Sequence, residues 1–490
     1  MLAVRPVIRV TAKVIVAMAG TMILPAWLDW QARHPDWLAF ALTAGLGALA
    51  GGLVAAATDG PAEPLTVEQA FLLTSLLWLV APLFGAVPLM VGETQTGFLD
   101  ALFEAMSGMT TTGTTIYPDL DLLSPGANMW RAMLQWEGGL GIVVVAMLFL
   151  PVMRVGGMQF FRSEGFDMRS KDLPSAAGLA RQLTAVYVAM TVACALLYRV
   201  SGMSGYDAVL HAFATCSTGG FSNHDASFAV FGAGAQYTAC LFMVLAALPF
   251  IRLVHLMHGD PMPLWRDPQA RAFLRWIAYA TAAIILYRGV TTALPVGAPL
   301  VTETMARETL FNTISIFTGT GFALGDVSGW GPFVLAVLFL CGLIGGCTGS
   351  TVCSIKVFRY LVLAEAIRVQ LRRMAAPHRI LPLRYEGRRL DQDVLDSVMS
   401  FMALFILTFG LLIVGLGLTG LAPRTALTAA WTSIANIGPV FGPGVSGTGA
   451  VDQFPASARW LMIAGMYLGR LELVSVLVLL LPRFWRSQTA

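Results

Sequence analysis

Apolar residues run through this 490-residue chain in about ten long stretches, at 7–29, 36–57, 67–91, 129–153, 178–200, 236–257, 272–295, 331–362, 397–419 and 457–482. Each offers about the 20 apolar residues that a helix needs to cross a bilayer. Between them lie four shorter segments, FLDALFEAMSGM (98–109), YDAVLHAFATC (206–216), ETMARETLFNTISIF (303–317) and RTALTAAWTSIA (424–435). Those are too short to cross and predict re-entrant or buried core helices. Each is followed by a glycine turn: TTTG ending at Gly113, STGG at Gly220, TGTG at Gly321 and ANIG at Gly438. The four glycines stand 107, 101 and 117 residues apart, a return that signals repeated architecture. The predicted fold is all-α integral membrane, with about ten transmembrane helices. Four helix–pore loop–helix repeats surround a central ion pore, preceded by two extra N-terminal helices. The expected divisions are 1–60 for the extra pair, then repeats at 61–174, 175–264, 265–390 and 391–490.

Composition agrees with a membrane setting. The chain is 57% hydrophobic and 12% charged, with mean hydropathy +0.72, whereas soluble domains carry about 25% charged residues. No small-residue cleavage site follows the first apolar run, which predicts a retained helix rather than a signal peptide. The six cysteines (194, 216, 240, 341, 347 and 353) lie in apolar segments at spacings that fit neither a disulfide framework nor a common metal site. They read as small packing residues. His255 and His258, in HLMH, lack a further ligand cluster and read as interfacial rather than zinc-binding.

Charge orients the chain. Arg5, Arg9 and Lys13 open the first helix, and Arg154, Arg162, Arg169, Lys171 and Arg181 fill the link after 129–153. Arg266, Arg271 and Arg275 fill a second link, Arg368 to Arg389 crowd a third, and Arg483 and Arg486 close the chain. The positive-inside rule places these links and both termini in the cytoplasm. One link disagrees: 58–66 belongs on the same side, yet it holds Asp59 and Glu63 and no Lys or Arg. Acidic residues count little in that rule. The four glycine turns then share the outer side.

Glycine permits backbone angles that turn successive carbonyls toward one axis, and carbonyl oxygens can replace the water shell of potassium. Each short helix aims a C-terminal end carrying roughly half a negative charge at the same place, which favours a cation. Re-entrant backbone is tolerated in a membrane only where protein buries it or it lines a wet cavity.

The chain resembles the TrkH/KtrB/HKT superfamily of potassium-translocating membrane subunits, and its TrkH branch most of all. The resemblance rests on FEAMSGMTTTGTT (103–115), QWEGGLGIVVVAMLFLPVMRVGGMQFFRSE (135–164), STGGFSNHD (217–225), GGCTGSTVCSIKVFR (345–359), NIGP (436–439) and GRLE (469–472). It implies a selectivity filter built from the carbonyls of Thr111, Thr112 and Gly113; Thr218, Gly219 and Gly220; Gly319, Thr320 and Gly321; and Asn436, Ile437 and Gly438. Serine at the first of the four glycines accompanies sodium transport in that superfamily, so Gly113 favours potassium. The resemblance further implies a homodimer in the bacterial inner membrane, seated on a ring of cytosolic nucleotide-binding regulatory subunits of the TrkA type. Potassium is the transported ion, with no organic cofactor, no enzymatic activity and no nucleic-acid partner expected.

Two features concern gating. CGLIGGCTGSTVCSIK (341–356) breaks an apolar span with glycines at 342, 345, 346 and 349. In the superfamily the matching segment is an intramembrane loop that blocks the pore below the filter, which assigns gate roles to Gly345, Gly346, Gly349, Ser350 and Lys356. Relatives usually carry glycines where this chain has Val352, Cys353 and Ser354. Close packing of a glycine kink is the structural alternative. Lys356 is expected to snorkel toward the cytoplasm. Arg470, in the middle of the last span, costs about 2.5–3.5 kcal/mol on insertion scales and is a functional candidate by position. The resemblance implies that it projects into the pore as an electrostatic barrier. A structural ion pair with Glu472 or Glu137 is the alternative, and spacing disfavours Glu472. Glu137 is a departure from relatives, open to a contact with Arg470 or Lys356. Glu104 is expected to brace the first glycine turn. The basic link 368–389 suits anionic lipid headgroups or the regulatory ring.

A gated potassium uptake pore is the leading reading. A sodium- or proton-coupled potassium symporter is the alternative, separable by flux with and without a driving gradient. A membrane enzyme would need clustered catalytic polar groups, and none stands out.

Overall fold

The computed structural model describes residues 4–60, 65–148, 157, 176–291, 301–376, 378 and 381–486. Among these residues regular structure is helical apart from one small antiparallel hairpin, β1 (Arg384–Tyr385) on β2 (Arg388–Arg389). The helices are α1 (Arg5–Thr21), α2 (Ile23–Gln31), α3 (Trp37–Ala57), α4 (Val67–Val91), α5 (Phe98–Met109) and α6 (Pro125–Leu148). Then follow α7 (Ala176–Val200), α8 (Gly205–Cys216), α9 (Ala233–Ala246), α10 (Phe250–Met257), α11 (Met262–Arg266), α12 (Pro268–Thr291) and α13 (Glu303–Phe317). The chain continues with α14 (Pro332–Ile344), α15 (Val357–Ala375), α16 (Gln392–Leu418), α17 (Pro423–Ala435), α18 (Ala456–Arg470), α19 (Val474–Leu477) and α20 (Pro482–Arg486). The four short helices predicted before the glycine turns are α5, α8, α13 and α17. Most of the basic link from Arg154 to Lys171, including the specific VGGMQ run apart from Gly157, falls outside the described residues.

Among the described residues six segments are long and apolar enough to cross a membrane: Arg5–Gln31, α3, α4, Gly178–Val200, α12 and α16. Two further stretches, read from the sequence as unbroken spans over 236–257 and 457–482, are instead bent. α9 and α10 meet at 106°, and α18 meets the segment 474–480 at 100°. Pro249 explains the first bend, since proline removes a helical donor and pushes the preceding residue out of the helical region. At the second, Glu472 and Leu473 take positive φ values of 56° and 43°. The stretch 331–362 breaks as its glycines predict, leaving α14 and α15 separated by residues 345–356. The chain is a multi-pass membrane protein.

The chain divides into two compact units. The first holds Met1–Gly139, Phe221–Asp225 and Phe409–Ala490. Here Gly51 lets α3 approach α1, where a side chain would meet Val16 Cγ2 at 2.9 Å, and Gly47 makes room for the Phe84 ring of α4. Close backbone approach through glycine substitutes for the hydrophobic drive that lipid removes. In the link that broke the charge rule, Asp59 is neutralised inside this unit. Arg5 donates to the Asp59 carbonyl at 2.7 Å, Arg9 donates to the Gly60 carbonyl at 2.6 Å, and Arg9 forms an ion pair with the Asp59 carboxylate. α4 starts on a reciprocal cap in which the Gln69 amide donates to Thr66 Oγ1 and Gln69 Oε1 accepts from the Thr66 amide.

The second unit holds Leu140–Gly220 and Ala226–Thr408. Its short helices start on side-chain caps: Ser204 accepts from the Asp207 amide and Thr302 from the Met305 amide. All six cysteines are free and buried, as packing residues would be.

Candidate ion-coordinating loops

In the first unit, α5 and α17 deliver the first and fourth glycine loops. α5 stops because Thr111 and Gly113 adopt positive φ, 53° and 87°. The Thr112 amide then donates back to the Ser107 carbonyl at 2.8 Å, and the Ser107 hydroxyl donates forward to the Thr114 carbonyl at 2.5 Å. α17 ends in the same manner on a left-handed Asn436. There the Ile437 amide donates to the Thr432 carbonyl at 3.1 Å, and the Thr432 hydroxyl to the Pro439 carbonyl at 2.6 Å. The two loops touch. Thr114 donates its hydroxyl to the Gly438 carbonyl at 2.8 Å, Asn436 Nδ2 donates to Thr112 Oγ1 at 2.9 Å, and a Cβ on Gly438 would meet Gly113 at 3.3 Å.

In the second unit, α8 and α13 deliver the second and third loops. Thr218 and Gly220 have φ of 53° and 80°, and Gly319 and Gly321 have 70° and 83°. The Gly219 amide donates to the Ala214 carbonyl, and the Ser315 hydroxyl to the Phe322 carbonyl at 2.7 Å. A Cβ on Gly220 would lie 1.8 Å from the Thr320 carbonyl oxygen, so only glycine fits. In three of the four loops a Ser or Thr six residues before the glycine holds the carbonyl just after it. That spacing is a signal in the sequence which the glycines alone do not carry.

The loop threonines spend their hydroxyls on protein. Thr110 pairs with Thr112 and Thr318 with Thr320, each at 2.8 Å. Buried hydroxyls satisfied in this way are committed to the protein, so coordination of an ion would fall to main-chain carbonyls. Alternation between left-handed and ordinary φ lets neighbouring carbonyls turn to one side of the chain, the arrangement that coordinates a dehydrated cation.

Behind the first loop sits a buried ion pair. Glu104 accepts from the Ile116 amide at 3.0 Å and from the Thr115 hydroxyl at 2.9 Å, bracing the turn as expected. It also accepts from Arg131 Nε at 2.7 Å, with both side chains essentially inaccessible. Arg131 continues to Asn128 Oδ1 and the Ser222 carbonyl, each at 3.0 Å, and lies 4.2 Å from the Phe221 ring centre. Arg131 carries the same signal as Arg470, an arginine inside an apolar stretch, and is a buried charge behind the first loop that a motif-based reading omits.

The broken span brings Gly345, Gly346, Gly349, Ser350 and Lys356 into one buried loop of the second unit. Its backbone groups are satisfied by the bend between α9 and α10. The Cys347 amide donates to the Ala247 carbonyl at 3.0 Å, the Phe250 amide to the Gly349 carbonyl at 2.9 Å, and the Thr351 hydroxyl to the Ala246 carbonyl at 3.1 Å. Two breaks therefore complete each other, which is how irregular backbone survives at membrane depth. Gly345, Gly349, Ser354 and Lys356 all take positive φ. Lys356 corrects an expectation: it is buried, 3% exposed, and does not snorkel. Its place at the start of α15, between the loop and helix, withdraws the side chain from the surface.

Arg470 and Glu137 belong to the first unit. Arg470 Nη2 donates to the Gly138 carbonyl at 2.9 Å. Glu137, the residue beside it, takes the Thr21 hydroxyl on Oε1 at 2.6 Å, and its buried Oε2 has no hydrogen-bond partner among the described residues. Within this unit the possible pairing of Glu137 with Arg470 is not found, because the Glu137 side chain is taken up by Thr21 of α1. The glycines flanking these residues are steric fits: a Cβ on Gly138 would lie 1.9 Å from the Met109 carbonyl, and one on Gly469 would lie 2.2 Å from the Ile434 carbonyl. α6 and α18 thus press bare backbone against the ends of α5 and α17.

Short helices that end on glycine loops, among segments long and apolar enough to cross a membrane, fit a membrane transport protein for cations. The family profile described as "TrkH: Cation transport protein" matches residues 40–487. The chain belongs to the TrkH family. It is 36% identical over 484 residues to the Trk system potassium uptake protein TrkI of Halomonas elongata, covering 98% of this chain and 97% of that one. It is 32% identical over 493 residues to the Trk system potassium uptake protein TrkH of Escherichia coli strain K12, with 99% of each covered. Its fold matches the crystal structure of the potassium transporter TrkH from Vibrio parahaemolyticus with a TM-score of 0.89 at 29% identity, covering 99% of this chain and 100% of that one.

Proposed function

We propose that this chain takes up potassium, and that the ion is coordinated by the backbone carbonyls of Thr111–Gly113, Thr218–Gly220, Gly319–Gly321 and Asn436–Gly438. The observation that carries the reading is the steric demand for glycine: Gly220 lies against the Thr320 carbonyl, at a distance that excludes any side chain. A chain that merely needed a turn would not need two loops in such contact. The names of the similar proteins support potassium as the cargo.

In this reading the loop 345–356 is the gate and Arg470 a positive barrier to cations until the gate opens. The membrane is the bacterial inner membrane, with both termini in the cytoplasm, where the basic links gather. The protein works as a homodimer under a cytosolic nucleotide-binding subunit. Rubidium uptake into vesicles by wild type and by Gly113→Ser tests the coordination. Wild type is expected to prefer rubidium over sodium and the variant to lose much of that preference. Equal preference in both would remove Gly113 from the filter.

A further inference from the structure

The link that follows α10 contains a cavity of about 410 Å³ that potassium coordination leaves unused. Three arginines line it, Arg252, Arg266 and Arg271, together with Asp267 and Glu386. The charges are unevenly committed. Arg252 pairs with Asp267 at 3.0 Å and with Glu386 at 3.7 Å. The other oxygen of Asp267 accepts from the Gln269 and Ala270 amides at 2.8 and 3.1 Å, capping α12. Both acids are therefore engaged with Arg252 and a helix end. Arg266 and Arg271 have no carboxylate partner among the described residues. Instead Arg271 Nη2 donates to the Arg266 carbonyl at 3.0 Å, which ties the two residues together at the cavity.

The surroundings say what kind of anion fits. The five-residue helix α11 turns Met262 and Trp265 outward, 49% and 70% exposed, and Met257 at the end of α10 is 56% exposed. Exposed tryptophan and methionine beside arginines, at the basic end of a membrane span, are the pattern of an interfacial anchor. We propose that this cavity binds the phosphate group of an anionic phospholipid. The guanidinium groups of Arg266 and Arg271 hold the phosphate, and the acyl chains lie along Trp265 and Met262. Guanidinium presents donors in a fork that matches phosphate oxygens. A soluble phosphate would use the arginines but gain nothing from the exposed apolar side chains.

The full chain, purified in mild detergent, would be titrated with phosphatidylglycerol and with neutral phosphatidylcholine, and retained lipid counted by native mass spectrometry. Wild type is expected to retain phosphatidylglycerol preferentially. The double variant Arg266→Gln/Arg271→Gln should weaken retention roughly twenty-five-fold, at about fivefold per cation removed, while Arg266→Lys/Arg271→Lys, which keeps the charge but loses the fork, should fall between the two. Inorganic phosphate in a second arm separates the two sources of the anion. Trp265→Ala should reduce lipid retention and leave phosphate binding unchanged. If Trp265→Ala has no effect and inorganic phosphate displaces the lipid completely, the ligand is a soluble phosphate and the lipid assignment falls. Equal phosphatidylglycerol retention by wild type and the glutamine double variant overturns the site.

Discussion

Thr218 donates its hydroxyl to that of Thr351 at 3.1 Å, joining the second glycine loop to the middle of the broken span. Thr351 in turn donates to the Ala246 carbonyl at the α9–α10 bend. A single side chain thus links the loop assigned to ion coordination with the loop assigned to gating. All three groups are buried, and the Thr218 hydroxyl is shared with the Ser217 carbonyl at 2.7 Å.

Thr351→Val keeps shape and removes this link. A buried hydrogen bond of this kind contributes about 0.5–1.5 kcal/mol net, so the fold should survive with a slightly lower melting temperature. The expected functional result is a larger rubidium leak into vesicles in the absence of any regulatory subunit. Unchanged leak, with melting lowered as predicted, would confine Thr351 to packing.

The pair Glu104–Arg131 predicts a larger stability effect. Removing one member of a buried ion pair leaves an uncompensated charge and costs about 3–5 kcal/mol. Arg131→Met should therefore destabilise the first unit severely, and Glu104→Gln/Arg131→Met should recover part of the loss. Thermal unfolding of the three proteins in detergent measures this. A double variant as unstable as Arg131→Met would mean that the bonds of Arg131 to Asn128 and Ser222, rather than its charge pairing, hold the first loop.

Acid should weaken the contact between the loops that carry Asp121 and His224. Its hydrogen bond to His224, at 2.8 Å, holds the carboxyl below the ordinary carboxylate value, helped by the Asp225 amide. A group lowered on folding stabilises at pH above its unfolded value, about 3.9, and that contribution is lost as pH falls through the folded value. Asp225 is shifted the opposite way, raised chiefly by burial, so its contribution is present at low pH and fades as pH rises through its folded value. The contrast of wild type with Asp121→Asn isolates the first effect. Between pH 6 and pH 3 the wild-type melting temperature should fall further than that of the variant. Parallel curves would remove Asp121 from the acid response. The group is largely exposed, so the effect is small and shrinks with added salt.

Much of this architecture is legible in the sequence, for identifiable reasons. Span length and the glycine-ended short segments are local properties, so α3, α4 and the four loops can be read directly. The bends are less visible: residues 471–473 sit within the last apolar stretch, and only the backbone reveals that Glu472 and Leu473 leave the helix. Partnerships across the chain are not legible at all. Glu104 and Arg131 lie 27 residues apart, and Thr21 and Glu137 lie 116 apart, so neither follows from helical spacing. Lys356 reads from sequence as a snorkelling lysine because it follows the broken span where that span returns toward the cytoplasm, yet tertiary packing encloses it.

Gly220→Ala is the sharpest test of the glycine loops. Two penalties coincide there: φ of 80°, unfavourable for a side chain, and a Cβ placed 1.8 Å from the Thr320 carbonyl oxygen. The first alone costs about 1–2 kcal/mol. The second cannot be relieved by a rotamer change, because the obstacle is backbone, so Thr320 or the whole loop must move. Gly202→Ala is the matched control, with φ of 98° and nothing within 4 Å of the added carbon. Both variants should show the conformational cost in thermal unfolding, whereas only Gly220→Ala should lose rubidium uptake, by tenfold or more if the Thr320 carbonyl shifts by a cost of about 1.4 kcal/mol or greater. Equal uptake by the two variants would mean that the contact between the second and third loops is packing, with no part in the path of the ion.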